Sequence, residues 1–251
     1  MSDYPAVSTE VGRVEPVPRR VRAYLGGQTV FDTTRALYVW EIPYYPQFYI
    51  PLADVAPNVL VDEDTAEQRP HGTARRHAVR VKSLERPGAA LVYGANATAG
   101  LADHVRFKWK DLDAWFEEDE QVFVHPRSPF VRVDALRSTR HIRIALDGVT
   151  LAESDSPVML FETGLPTRYY LSPTDIDFTH LEQSETVTEC PYKGRTTGYW
   201  SARTGGTLHE DVAWVYDFPT IGLAPIARLI AFYNDKVDIT LDGHELPRPG
   251  H

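Results

Sequence analysis

From Val21 onward the chain alternates apolar and polar residues in short runs. VRAYLGGQTVFD sets valine, alanine and leucine against polar neighbours, and Gly26-Gly27 supply a two-residue turn, which predicts a β-hairpin. The unit returns at Ile142 as IRIALDGVTLAES, now with Asp147-Gly148, a strong type I′ turn signal. Most remaining segments are short runs rich in Val, Ile, Tyr, Phe and Trp, at the spacing of all-β folds.

The two hairpins open an internal duplication. At a constant offset of 121 residues Arg22 stands opposite Arg143, Leu25 opposite Leu146, Gly27 opposite Gly148 and Thr29 opposite Thr150. The register continues through Glu41/Glu162, Tyr49/Tyr170, Asp54/Asp175 and Leu60/Leu181. An ungapped match of this length marks a repeat, so two copies of one domain are expected. Further on the match loosens. Pro70 faces Pro191, Leu91-Val92-Tyr93 face Trp214-Val215-Tyr216, and Phe107 and Asp113 face Phe232 and Asp238. The reading is a mobile tail over residues 1–18, a first domain over 19–120, a linker over 121–140 and a second domain over 141–247. The halves are expected to pair within one chain, as monomer or dimer.

Two segments carry a helical period. GLAPIARLIAFY places Ile226, Leu229, Ile230 and Tyr233 on one face, with Pro225 suited to a first turn. LADHVRFKW holds the equivalent place in the first copy. DLDAWFEEDE sets Leu112, Trp115 and Phe116 at helical spacing and predicts a helical bridge at the end of that copy.

Composition narrows the function. The 251 residues carry a formal net charge of -9, which opposes phosphate backbones and anionic lipid, so neither nucleic acid nor membrane is expected as a partner. No segment has the apolar length of a transmembrane helix and no secretory leader is read at the N-terminus, so a cytoplasmic location is expected. A single cysteine allows no internal disulfide and no paired-cysteine zinc site, and the histidines are scattered, so neither metal nor cofactor is expected.

The candidate chemistry gathers around ECPYKG in the second copy. Cys190 precedes Pro191, which biases it to extended backbone. Lys193, three residues on, would stabilise a thiolate, the way reactive cysteines are made. The plain alternative is a small buried residue beside a structural turn, and the only candidate bases, His180 and His209, cannot be placed from sequence. Lys193-Gly194 also suit an anion-binding corner, with Gly194 permitting a positive φ. The first copy reads QRPHG here, without cysteine or lysine, so chemistry at the turn belongs to the second copy. Glu162 ends the apolar run VMLFE as Glu41 ends LYVWE, and each needs a partner if buried. A shared bond to an arginine or a tyrosine hydroxyl is one reading; an acid/base beside Tyr169 or Tyr170 is the other. Trp200, Trp214 and Tyr216 are either core or pocket wall. Asp175-Ile176-Asp177 forms a D-x-D with no Gly-Ser phosphate turn upstream.

CPYKG, the AWVY strand, the APIARLIAFYNDKVDITLDG stretch, the opening hairpin and FETGLPTRYYLSPTDI together resemble domain of unknown function 427, over about residues 20–118 and 140–246. The tandem arrangement resembles the family's two-domain actinobacterial form. The resemblance implies a β-tent fold of small antiparallel sheets, twice over, and a site at the turn. It also carries a nucleotidyltransferase label. The leading expectation is a small-molecule-binding module for an anionic or carbonyl ligand. Cys190, Lys193 and Glu162 are its candidate chemical groups; Tyr169, Tyr170, Asp175, Tyr192, Gly194, Trp200, Trp214 and Tyr216 are its candidate contacts. The alternatives are a cysteine- or lysine-dependent enzyme and a protein-interaction scaffold.

Overall fold

The computed structural model of the chain describes residues 8–249. They fall into two compact units, residues 8–128 and residues 129–249. Each unit has one seven-stranded and one four-stranded sheet, with antiparallel pairing throughout.

In the first unit the large sheet runs in the order Val14–Pro16, Leu37–Val39, Gln47–Pro51, His104–Phe107, Leu84–Tyr93, Gly72–Val81, Leu60–Arg69. In the second the order is Val133–Arg137, Val158–Glu162, Arg168–Leu171, Ile230–Phe232, Thr207–Val215, Gly198–Thr204, Leu181–Ser184. The two orders correspond strand for strand, which is the duplication expressed as topology. Detail repeats as well. Both opening hairpins carry a bulge, at Ala23/Tyr24 and Ile144/Ala145, and both make one isolated bridge, Phe31 to Val55 and Ala152 to Ile176. Both turns have positive φ at their two central residues, 55° and 71° at Gly26-Gly27 and 51° and 79° at Asp147-Gly148, the type I′ pattern the sequence predicts.

Alternation decides which side chains meet. In each unit one face of the large sheet packs on the small sheet and forms the main core. Phe31 from the small sheet stacks on Phe107 of the large one at 5.3 Å. The other face carries a second cluster: Val39, Tyr49, Leu91 and Tyr93 in the first unit, and Leu160, Tyr170, Tyr199, Trp214 and Tyr216 in the second.

Several sequence expectations give way. Of the tail expected over 1–18, residues 1–7 lie outside the described residues, and Val14–Pro16 is an edge strand paired with Leu37–Val39. Val133–Arg137, inside the expected linker, does the same job beside Val158–Glu162. Prolines and charges obscured both, yet edge strands tolerate them. The helix expected over GLAPIARLIAFY is a 3₁₀ segment, Ile221–Ile226, distorted at Leu223, followed by Arg228 at φ 63° and the strand Ile230–Phe232. LADHVRFKW likewise gives a strand, His104–Phe107. DLDAWFEEDE forms a short turn at Trp109–Asp111 and then strands Ala114–Glu117 and Glu120–Val122, because pairing with Val21–Leu25 completes the small sheet. Ala114 pairs with Tyr24 as Asp238 pairs with Ala145, so the true counterpart of Asp238 is Ala114 rather than Asp113.

Candidate functional site

The ECPYKG turn closes over the second face of the large sheet in residues 129–249. Glu189-Cys190 pair with Gly194-Arg195, and Gly194 takes φ 99°, a conformation that favours glycine. The turn is tied down on both sides. Thr220 donates its N–H to the Lys193 carbonyl at 3.1 Å and its hydroxyl to the Tyr192 carbonyl at 2.6 Å. Thr196 donates its N–H to the Thr188 carbonyl at 3.0 Å and accepts from the Thr188 N–H at 2.8 Å. So braced, the turn sends Lys193 inward, where its ammonium pairs with Glu162 and lies 3.8 Å from the Cys190 sulfur. Lys193 is 8 % and Glu162 6 % exposed, which makes this a buried ion pair.

Beside the pair opens a cavity of about 270 Å³, lined among others by Glu162, Arg168, Lys193, Tyr199, Trp214, Tyr216 and Tyr233. The Arg168 guanidinium lies 5.7 Å from the Trp214 ring centre and 5.6 Å from that of Tyr233. It donates one hydrogen bond, to Asn234 at 2.7 Å, and Asn234 in turn donates to the Thr167 carbonyl at 2.9 Å. The Tyr199 hydroxyl sits 2.8 Å from both Thr188 Oγ1 and the Tyr233 hydroxyl.

Burial pulls down on the Lys193 ammonium, but the charges available at Cys190 and Glu162 outweigh it and hold its pKa above the ordinary value. Burial pushes the Tyr170 hydroxyl up to about 12, against the pull of Lys193 and Trp214. Tyr216 is also raised, chiefly by burial and then by its neighbours Tyr170 and Cys190. In each case the folded state holds its proton more tightly than the unfolded chain. The stability these groups contribute is therefore complete below the unfolded value, near pH 10 for tyrosine, and is lost as pH rises toward the folded one. Tyr170 alone is expected to remove about 2–3 kcal/mol across that window. Urea unfolding of the full chain between pH 8 and 12 checks this, with tyrosinate absorbance from the buried tyrosines expected to appear together with unfolding and not before it.

The first unit holds a related but differently wired set. Glu41 accepts from the Tyr49 hydroxyl at 3.0 Å and from two nitrogens of Arg106 at 3.2 Å each. Tyr49 also bonds Tyr93 at 3.2 Å. What the copies share is thus the carboxylate and two tyrosines, not the cation. Register places Ala231 where the first copy has Arg106, and Lys193 arrives from the turn instead.

Of the residues singled out from sequence, Cys190, Lys193, Glu162, Tyr170, Trp214 and Tyr216 come together here, with Tyr192 and Gly194 forming the turn itself. Tyr169 and Trp200 do not, since each is one residue out of phase and faces the main core. Asp175 accepts from the Ser154 hydroxyl at 2.6 Å, as Asp54 does from Thr33, and Asp177 caps Thr179 at 3.0 Å, so both carboxylates of the D-x-D are spent on turns. His209 bonds Asp147 at 2.8 Å and His180 approaches Asp177 at 3.8 Å, and neither appears among the residues lining the cavity. Among the described residues no group of three or more His, Cys, Asp or Glu is placed to hold a metal ion, and no helix is long and apolar enough to cross a membrane. Leu165, Arg168, Thr188, Glu189, Tyr199 and Tyr233 line the cavity without being among the candidate contacts read from the sequence. Tyr199 could have been found by parity, because it pairs directly with Trp214.

Fold and site together define a tandem, mainly β protein with a turn-capped pocket in its second half. The profile of the family described as "Domain of unknown function (DUF427)" matches residues 13–118 and again 134–243, and the chain belongs to that family. No curated relative matches it.

Proposed function

We propose that the chain is a small-molecule-binding protein whose ligand enters the cavity beside the Cys190–Gly194 turn. Its anionic group would meet Arg168 and its apolar body would rest on Trp214 and Tyr216. One observation carries this reading: Lys193 and Glu162 already neutralise each other, whereas the Arg168 guanidinium lies over two adjacent aromatic rings with, among the described residues, a single side-chain hydrogen bond. A guanidinium so oriented suits a carboxylate or phosphate bound through two N–H groups. Tyr199 and Thr188 offer hydroxyls beside it.

The thiol-enzyme reading is favoured by the 3.8 Å approach of the Lys193 ammonium to Cys190. It lacks a general base, since both candidate histidines are bound to other carboxylates. Titration calorimetry with benzoate, phenyl phosphate and inorganic phosphate separates the two. Binding is expected to weaken about 10- to 100-fold in Arg168→Gln, the cost of losing a charged hydrogen-bonding group, and to survive Cys190→Ala. Indifference to Arg168→Gln would remove the basis of the proposal. Fast alkylation of Cys190 by iodoacetamide near pH 7 would move the thiol reading ahead.

A further inference from the structure

The opposite face of the same sheet carries a second hollow, of about 330 Å³, walled by Phe178 and Trp200 and rimmed by Gln183, Asp217 and Arg228. The two rings meet at 61° with centres 6.0 Å apart, so they form a corner in which a flat group stacks on one ring and meets the edge of the other. Among the described residues the side chains of Gln183, Asp217 and Arg228 have neither a hydrogen bond nor an ion pair, although they share one rim.

The first copy shows what this place looks like when it is closed. Strand register makes Arg75 the counterpart of Gly198, Asp62 of Gln183 and His77 of Trp200. There Arg75 and Asp62 bond each other at 2.6 and 2.9 Å across the sheet surface. In the second copy glycine replaces the arginine and a neutral amide replaces the carboxylate, so that ion pair is gone and an indole stands beside the vacated space. The floor is tight: a Cβ on Gly198 would lie 3.2 Å from a Val215 methyl and 3.3 Å from the Trp200 ring, so either would have to give way.

Arg228 adds a second contrast. Its N–H bonds the Tyr216 carbonyl at 2.8 Å as Asp103 bonds Tyr93 at 2.9 Å, and both residues take positive φ, 63° and 56°. Aspartate adopts that conformation readily; arginine does so at a cost. The second copy thus holds a cation without an ion-pair partner at a strained position over an aromatic corner. Strain of this kind gathers at binding sites.

We propose that this hollow is a second ligand site, for a planar heteroaromatic ring that carries an anionic group. The ring packs in the Phe178–Trp200 corner, Gln183 and Asp217 accept from its N–H edge, and Arg228 takes the anion. The site is independent of the cavity at the turn, because strand alternation sends Trp200 and Val215 to one face and Tyr199 and Trp214 to the other.

The test is titration of the full chain with AMP, with indole-3-carboxylate and with their uncharged counterparts adenosine and indole, read by calorimetry and by quenching of tryptophan fluorescence. At least one charged probe is expected to bind, tenfold or more tightly than its uncharged counterpart. Arg228→Gly relieves the backbone and keeps the fold, and it is expected to erase that difference. Trp200→His, the first copy's residue, is expected to remove both the quenching and the binding. All titrations are repeated in the Arg168→Gln background, which removes anion binding at the turn, and binding at this hollow, with its dependence on Arg228 and Trp200, is expected to persist there. Absence of binding by both charged probes, or binding unaffected by Arg228→Gly and Trp200→His in folded protein, overturns the proposal.

Discussion

Replacing Lys193 with methionine is expected to destabilise residues 129–249 by about 3–5 kcal/mol, although the new side chain has similar length and is apolar. The loss does not measure the strength of the bond. It arises because Glu162, 6 % exposed, keeps its place at the end of a buried strand and loses the cation that neutralised it. The double replacement Lys193→Met with Glu162→Gln is therefore expected to recover most of the loss, since two neutral groups of similar volume carry no stranded charge. Urea unfolding of the single and double variants gives the coupling. Equal destabilisation in both would mean that the turn itself, not the charge pair, holds the site together.

Trp214→Ala is expected to cost about as much, 3–5 kcal/mol, for a different reason. Its ring lies 4.3 Å from Tyr233 and 6.5 Å from Tyr199, meets Tyr170 edge-on at 6.3 Å, and supports the Arg168 guanidinium. Truncation opens a void among four groups at once and frees Arg168 to leave its orientation. Ligand binding and stability should therefore fall together. Trp214→Phe preserves a π-face for Arg168, so it is expected to lose about 1–2 kcal/mol of stability and to retain binding at the turn. Chemical denaturation and the calorimetric titration of the same two variants check both halves of this expectation.

The contrast between these positions explains what the sequence could disclose. The duplication was legible because the first forty residues of each copy are constrained by one hairpin and one main core, and the constraint keeps residue types in fixed register. Helix and strand were harder to separate in GLAPIARLIAFY. Ile226, Leu229, Ile230 and Tyr233 fit a helical stripe, yet the central strand of a two-faced sheet needs apolar residues on both sides and gives the same letters. Trp115 and Phe116 misled similarly. In truth they point to opposite faces, with Trp115 stacked on Trp109 at 4.5 Å and Phe116 edge-on to Tyr24.

For the site, the turn and its lysine announced themselves, and Glu162 was visible as a carboxylate at the end of an apolar run. Parity was not visible. Tyr169 and Tyr170, or Tyr199 and Trp200, are adjacent letters that a strand sends to opposite sides, and only cross-strand register says which side holds the turn. Arg168 has Gln47 opposite it in the first copy, and a residue that differs between copies is where one copy can acquire a property the other lacks.

The change of counter-ion limits how the two copies can exchange sequence. The carboxylate lies in the front part of each repeat, while both possible cations, the one in the turn and the one on the strand that pairs with Gln47–Pro51 or Arg168–Leu171, lie in the back part. A crossover between front and back moves the cation as a unit, so either carboxylate meets one positive charge. A crossover inside the back part, between the turn and that strand, leaves one hybrid with no cation and the other with two crowded on a single buried carboxylate. Gene conversion between the halves is therefore tolerated at one joint and penalised a few dozen residues later, and from there on the copies are free to diverge.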